Sequence, residues 1–344
     1  MEKIIILDTN IHSGDKNKIF DRDFACRISH TLLPICYLFE EAKKVGVSLI
    51  TPDVFLENPE AFKNKKVFLI SQLTNPRTTL MVALGVVPLV LLCQESPFIA
   101  SRFYINLKKE TRLFKFSMLF PGMKGMSSKK SVFIPMFFPQ FNSTEKPQPI
   151  SFESKKFLTY IAANKKNRGL VKLIIIKLLY GINIKALYSS REKILNLFSK
   201  RNDFDLYGRG WNTETSPTIT KAYKGEVGYQ DKENKLREYR FALCLENSRF
   251  PGYITEKIFD CFFANSIPAY LGAPDITNYI PPNTFIDISK FKNITDLEKY
   301  LDNMTENTYN EYLSNINKFL NSDEYIKFSH VTFAKKILDL VSNS

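Results

Sequence analysis

Short apolar runs alternate along this chain with stretches of helical periodicity, the pattern of α/β layers in which buried strands are covered by helices. In the first half the candidate strands are Ile4–Leu7, Val47–Ile50, Val67–Ile70, Pro88–Leu92 and Val132–Phe138, with a helix expected over Phe24–Lys44. A second series runs Phe157–Ala162, Phe204–Tyr207, Phe241–Leu245, Ile267–Tyr270 and Phe285–Ile288. Helices are expected there at Arg191–Ser199, Thr255–Ala264, Ile294–Asp302, Glu311–Asn321 and Phe333–Val341. The stretch from Pro135 to Pro149 is Pro-rich and polar, and reads as a linker. At roughly 100–200 residues per domain, a chain of 344 residues holds two. The expected division is an N-terminal domain over 1–150, a second domain over 151–325 and a C-terminal helix and short polar tail over 326–344. Doubly wound units of this kind take ligands beyond the carboxyl ends of their strands, here in a cleft between facing strand ends. The pattern alone supports only two α/β domains, a plan shared by many enzyme classes.

A formal charge of +13 points to an anionic partner, whether nucleic acid, membrane lipid or a phosphorylated ligand. The charge is scattered and no nucleic-acid-binding signature occurs, so nucleic acid is not the expected partner. The five cysteines include no C-x-x-C pair, and Cys93, Cys244 and Cys261 sit in apolar runs, as buried reduced thiols do. His12, His30 and His330 show no metal-ligand spacing, and no D-x-D motif occurs. Nothing here therefore demands a metal or other cofactor, although a divalent ion could assist at a phosphorylated ligand. The apolar run in MEKIIILDTN is too short for a signal-peptide core, and Gly85 and Pro88 interrupt the long one from Thr79 to Cys93. A cytoplasmic protein is expected.

The most informative stretch is FALCLENSRFPGYITEKIFDCFFANSIPAY, from Phe241 to Tyr270. An apolar strand ends at Glu246-Asn247-Ser248, a Pro251-Gly252 turn follows, and Thr255-Glu256-Lys257 opens a helix with Thr255 as its expected N-cap. Free N–H groups at such a junction and the helix dipole favour an anion. Lys257 adds a mobile cation there, and Glu256 a carboxylate able to accept from two ribose hydroxyls. Transfer of a sugar from a nucleotide needs these parts, because the departing diphosphate gains charge as the sugar bond breaks. Taken generically, the same residues also suit an ordinary helix start with solvated ions.

The spaced string E-N-S-x-x-x-x-G-Y-I-T-E-K-I, continued by I-P-x-Y-x-G-x-P, resembles the donor-binding signature of the bacterial α1,3/4-fucosyltransferase family. Leu206-Tyr207-Gly208-Arg209-Gly210 and Glu95-Ser96-Pro97 are similar to two weaker motifs of that family. The resemblance implies a GT-B fold of two Rossmann-like domains, GDP-fucose as donor, a glycan acceptor and inversion at the anomeric carbon. It further implies that Asn247, Arg209 and Lys257 stabilise the leaving diphosphate, that Glu256 holds ribose, that Tyr253 packs against the donor, and that Glu95 is the general base. Glu95 follows an apolar strand and is expected among apolar neighbours. Lys221 and Lys224 remain alternatives to Arg209 as the pyrophosphate cation.

The resemblance is strong over 200–290, modest over 88–97 and thin over 1–87. Ala162-Ala163-Asn164 and Ser190-Arg191, joined tightly in the family, are separated here by residues 165–189. Within this insertion Lys172 and Lys177 interrupt apolar residues. It reads either as a core helix with snorkelling lysines or as a helix lying peripherally on an anionic inner membrane. Other readings of the chain are the same scaffold using another nucleotide sugar to build lipopolysaccharide or capsule, and a non-catalytic glycan- or nucleotide-binding module.

Overall fold

The computed structural model describes residues 2–141, 150–164, 170–212, 216–229 and 231–344. The core of the proposed linker, 142–149, and the start of the insertion, 165–169, lie outside them. The chain divides into two compact units, one of residues 1–141, 171–183 and 327–344, the other of 142–170 and 184–326. Helices α1 (Leu33–Lys44), α2 (Leu170–Tyr180), α3 (Tyr188–Phe198), α4 (Glu256–Phe263) and α5 (His330–Ser342) position the features discussed below.

In the first unit, β1 (Lys3–Asp8), β2 (Val47–Ile50), β3 (Lys66–Gln72), β4 (Val87–Leu92), β5 (Phe116–Leu119) and β6 (Val132–Pro135) form a parallel sheet in the order β2-β1-β3-β4-β5-β6. Ile5 pairs with Leu49 on one side and Phe68 on the other, all three buried. Runs apolar on both faces are what a parallel strand covered on both sides requires. Strand β5 was not expected because Ser117 interrupts its apolar pattern; that residue is buried and its hydroxyl bonds Ser127 Oγ at 2.7 Å. The helix expected over Phe24–Lys44 is broken at Ser29, whose φ of −170° is extended, so that Arg22–Ile28 and α1 are separate helices. The strand expected over Val132–Phe138 ends at Pro135.

The residues beyond 325 end in α5, which contains the helix expected at Phe333–Val341. Phe333, Ala334, Ile337 and Val341 are buried on the first unit, where α5 packs against α1. Lys3 Nζ donates to the carbonyls of Val341 and Ser342 at 3.0 and 2.9 Å, satisfying acceptors that a helix end leaves open.

In the second unit, β7 (Lys156–Ile161), β9 (Phe204–Tyr207), β10 (Tyr239–Leu245), β12 (Ile267–Leu271) and β13 (Ile286–Asp287) run parallel in the order β13-β12-β10-β7-β9. Between them β8 (Lys185–Ala186) and β11 (Ser248–Arg249) form a short antiparallel pair. The chain winds outward from β7 to β9, then crosses to β10 on β7's other side. That reversal opens a crevice at the carboxyl ends of β7 and β10, where a doubly wound sheet holds its ligand.

Candidate active site

Glu246 follows β10 directly and has no accessible surface. Its carboxylate accepts from Thr255 N–H at 2.9 Å, from Thr255 Oγ1 at 2.9 Å and from Lys257 Nζ at 2.9 Å. Thr255 does occupy the N-cap position of α4, but its hydroxyl serves Glu246 and Lys257 rather than the helix. The anion at this helix start is thus supplied by the protein, where the dipole favours it. Gly272, at the end of β12, makes room for this: a Cβ there would collide with Glu246 Cγ and Tyr270 Oη.

Lys257 is not the mobile cation expected from sequence. Three neighbours fix it, Glu246, Thr255 and, at 3.4 Å, Glu256, and its side chain is only 17% exposed. Burial acts to lower its pKa, but Glu246 and Glu256 outweigh this and hold the ammonium well above its ordinary value. Lys257 therefore stays charged at neutral pH.

Arg191, on the first turn of α3, is the second cation of the site. It lies near enough to Lys257 for the two charges to repel. It is 6% exposed, donates to Leu245 O at 2.6 Å and to Asn247 Oδ1 at 3.0 Å, and stands 5.0 Å over the Tyr188 ring. Its Nε is buried without a partner. Burying such a donor unpaired is costly, so an acceptor delivered by a ligand would relieve it. Arg191, Tyr188, Tyr160, Trp211, Glu192 and Asn196 line a cavity of about 350 Å³. The inserted residues do not displace Arg191, because β8 pairs with β11 and Leu187 N–H donates to Asn247 O at 3.2 Å, returning the chain to the site.

The expected site residues divide as follows. Asn247, Glu256 and Lys257 belong to this cluster, with Asn247 orienting Arg191. Tyr253 is 2% exposed and stacked on Phe250 at 4.7 Å, which leaves almost no ring face for a donor to lie on; it is a packing residue beneath the site. The Gly208-Arg209-Gly210 loop follows β9 and folds against the end of β7. Asn164 N–H bonds Arg209 O at 2.8 Å, and Gly208 has a φ of 125° at a point where a Cβ would strike Ala162 O. The Arg209 side chain, however, is 82% exposed and stands 3.8 Å from Glu226. Lys221 bonds Asn202 and Lys224 faces Asp205. The guanidinium that the structure places beside Lys257 is that of Arg191. The sequence signal for Arg191 was the Ser190-Arg191 segment, similar to one that the family joins tightly to the equivalent of Ala162-Ala163-Asn164.

Glu95 lies past the carboxyl end of β4 in the first unit, and it is exposed rather than enclosed by apolar neighbours. The turn is braced beneath it: Tyr104 Oη donates to Glu95 O at 2.6 Å, and Ser96 Oγ accepts from Phe98 N–H at 3.1 Å. The backbone is held while the carboxylate projects. Among the described residues no group of His, Cys, Asp or Glu is arranged to hold a metal.

Residues 179–337 match the family described as glycosyltransferase family 10 (fucosyltransferase), C-terminal region. Over 100 residues the chain is 35% identical to the alpha-(1,3)-fucosyltransferase FucT of Helicobacter pylori, a match covering 25% of this chain and 21% of that protein. The chain thus aligns with about a fifth of that relative's length. A solved alpha1,3-fucosyltransferase superimposes with a TM-score of 0.57 over 99% of this chain and 91% of the other, at 15% identity. Anabaena HepE in complex with UDP and glucose superimposes with a TM-score of 0.59 over the whole of both chains, at 9% identity. These likenesses give the fold, GT-B, built from two Rossmann-like doubly wound domains. The sequence match is narrower than the fold: it is confined to residues 179–337, which are similar to the C-terminal region of glycosyltransferase family 10, the fucosyltransferases.

Proposed function

We propose that this protein is an inverting glycosyltransferase that moves fucose from GDP-fucose to a hydroxyl of an oligosaccharide or lipid-linked glycan. The observation that carries the reading is the pairing of Lys257 with the buried Glu246 beside Arg191, at the strand ends where a doubly wound sheet binds its ligand. Two fixed cations suit a diphosphate whose charge grows as it leaves, because preorganised charge needs no rearrangement during the reaction. Asn247 holds the Arg191 fork, and Glu256 turns from Lys257 to the ribose hydroxyls when the donor enters. The acceptor oxygen bonds to the anomeric carbon as the bond from that carbon to the diphosphate breaks. Its proton passes to Glu95, and the bonding electrons leave with GDP. A divalent ion would add charge at the diphosphate without being required. The unpaired state of all five cysteines suits a reducing cytoplasm.

The fold alone does not select the base, since it is shared with a UDP-bound enzyme; the family match favours GDP-fucose. Thermal shift with GDP, UDP, CMP and their sugars tests the choice. GDP at about 100 times its dissociation constant should add about 2.7 kcal/mol of stability. Selective stabilisation by UDP sugars would transfer the reading to another nucleotide sugar.

A further inference from the structure

Helix α2 turns an apolar stripe toward water. Leu173 and Ile176 are buried and seat it, but Val171, Ile174, Ile175, Leu178 and Leu179 are exposed by 72, 59, 38, 80 and 52%. Those five follow the i, i+3, i+4, i+7, i+8 spacing of a single helical face. A helix that served only the core would turn such a face inward. Tyr180 pins the helix in place: its hydroxyl donates to Ile105 O at 3.0 Å, and Lys108 Nζ stands 5.5 Å over its ring.

The flank of the stripe is basic. Lys172 and Lys177 are exposed on α2, and Lys172 lines one cavity together with Arg102. Lys108, Lys109 and Arg112, exposed on the neighbouring segment, line a second. The acid within that segment, Glu110, is turned to Thr74, whose hydroxyl donates to it at 2.7 Å. Among the described residues no helix is long and apolar enough to cross a membrane. At about 1.5 Å per residue α2 falls well short of a bilayer core of about 30 Å.

We propose that α2 and its basic flank dock this protein on an anionic lipid surface. The apolar stripe enters the boundary between headgroups and acyl chains, and the cations lie over the lipid charges. Charge selects this occupant over a second copy of the chain, because a two-fold interface through this face would set the same cations against one another. The inference does not depend on which donor the enzyme uses.

Flotation of the whole protein with phosphatidylcholine vesicles, and with vesicles also containing phosphatidylglycerol, tests it. Binding is expected to the anionic vesicles alone and to weaken with added salt. The double substitution Ile174→Glu, Leu178→Glu should lower binding at least about tenfold. Lys109→Gln, Arg112→Gln should lower it about thirtyfold. Both variants change exposed residues and should keep the parent melting temperature and transfer to a soluble acceptor; if one fails to fold, the other decides. No flotation at low salt, or flotation unaltered by the substitutions, overturns the proposal. So does a lipid-free dimer that the Ile174→Glu, Leu178→Glu variant splits into monomers.

Discussion

Lys257 Nζ lies 2.9 Å from Glu246 Oε2, and the carboxylate it faces is wholly buried. Such a pair is costly to break from one side, because the partner left behind is a buried charge. Glu246→Ala should therefore lower folding stability by about 3–5 kcal/mol. Lys257→Met should cost less, since Thr255 N–H and Oγ1 still serve the carboxylate. Urea denaturation checks both, and unchanged midpoints would mean the pair is solvated. The raised Lys257 pKa fixes the sign of the pH effect. Its contribution is complete below the unfolded value of about 10.4 and is lost only as pH rises through the higher folded one.

Arg191 and Arg209 separate two accounts of the diphosphate. Arg191 is buried, held by Asn247 and beside Lys257, whereas Arg209 is almost fully solvated. Alanine at Arg191 should cost on the order of 10²–10³ in turnover, the scale of losing one preorganised charge stabiliser. Alanine at Arg209 should cost less than about tenfold by the same reasoning. Initial rates with saturating acceptor measure both, and the reverse order would restore the phosphate to the Gly208-Arg209-Gly210 loop.

How much of this was legible depended on how local the signal was. Strands such as Ile4–Leu7 and Phe241–Leu245 announce themselves because a parallel strand covered on both faces must be continuously apolar. Phe116–Leu119 hides because a buried serine satisfies its hydroxyl with Ser127, a contact made by the fold. Within the site, Glu246, Asn247, Glu256 and Lys257 lie close in sequence and could be read together. Arg191 reaches Asn247 from 56 positions away, so the Ser190-Arg191 match could mark it but not place it beside Asn247, which the pairing of β8 with β11 does. Likewise, burial of Tyr253 and solvation of Arg209 are properties of packing that residue type does not carry.

Lys155 offers a pH test of the second unit. It is 5% exposed, and its ammonium bonds the carbonyls of Tyr239 and Asn265. Burial, aided by Arg237, pushes its pKa down to about 8. Below that value both folded and unfolded states carry the proton, and the folded state bears the full cost of burying the charge. Between about 8 and about 10.4 the unfolded chain binds more protons, so stability rises with pH, by up to about 3 kcal/mol from this group. Lys155→Met should remove that rise, which urea midpoints at either end of the window would register. A rise of the same size in the variant would assign it to another residue.

Glu95 carries the chemical step in this scheme, and its setting decides what its replacement should do. The turn that bears it is locked from below by Tyr104 and Ser96, so the side chain projects from a fixed backbone. Pro97 further restricts Ser96 to extended geometry. A sugar hydroxyl is a poor nucleophile at neutral pH, and a positioned carboxylate that removes its proton during attack is worth roughly 10²–10⁴ in rate. Glu95→Gln keeps the volume and the brace but removes the basicity. Because Glu95 belongs to neither the Glu246–Lys257 pair nor the Arg191 cavity, GDP affinity by titration should match the parent. Transfer to acceptor should fall by at least about a hundredfold. Its exposure makes the substitution safe for folding, so a loss of rate cannot be charged to loss of structure. Transfer at close to the parent rate would move the proton to another carboxylate or to the substrate itself.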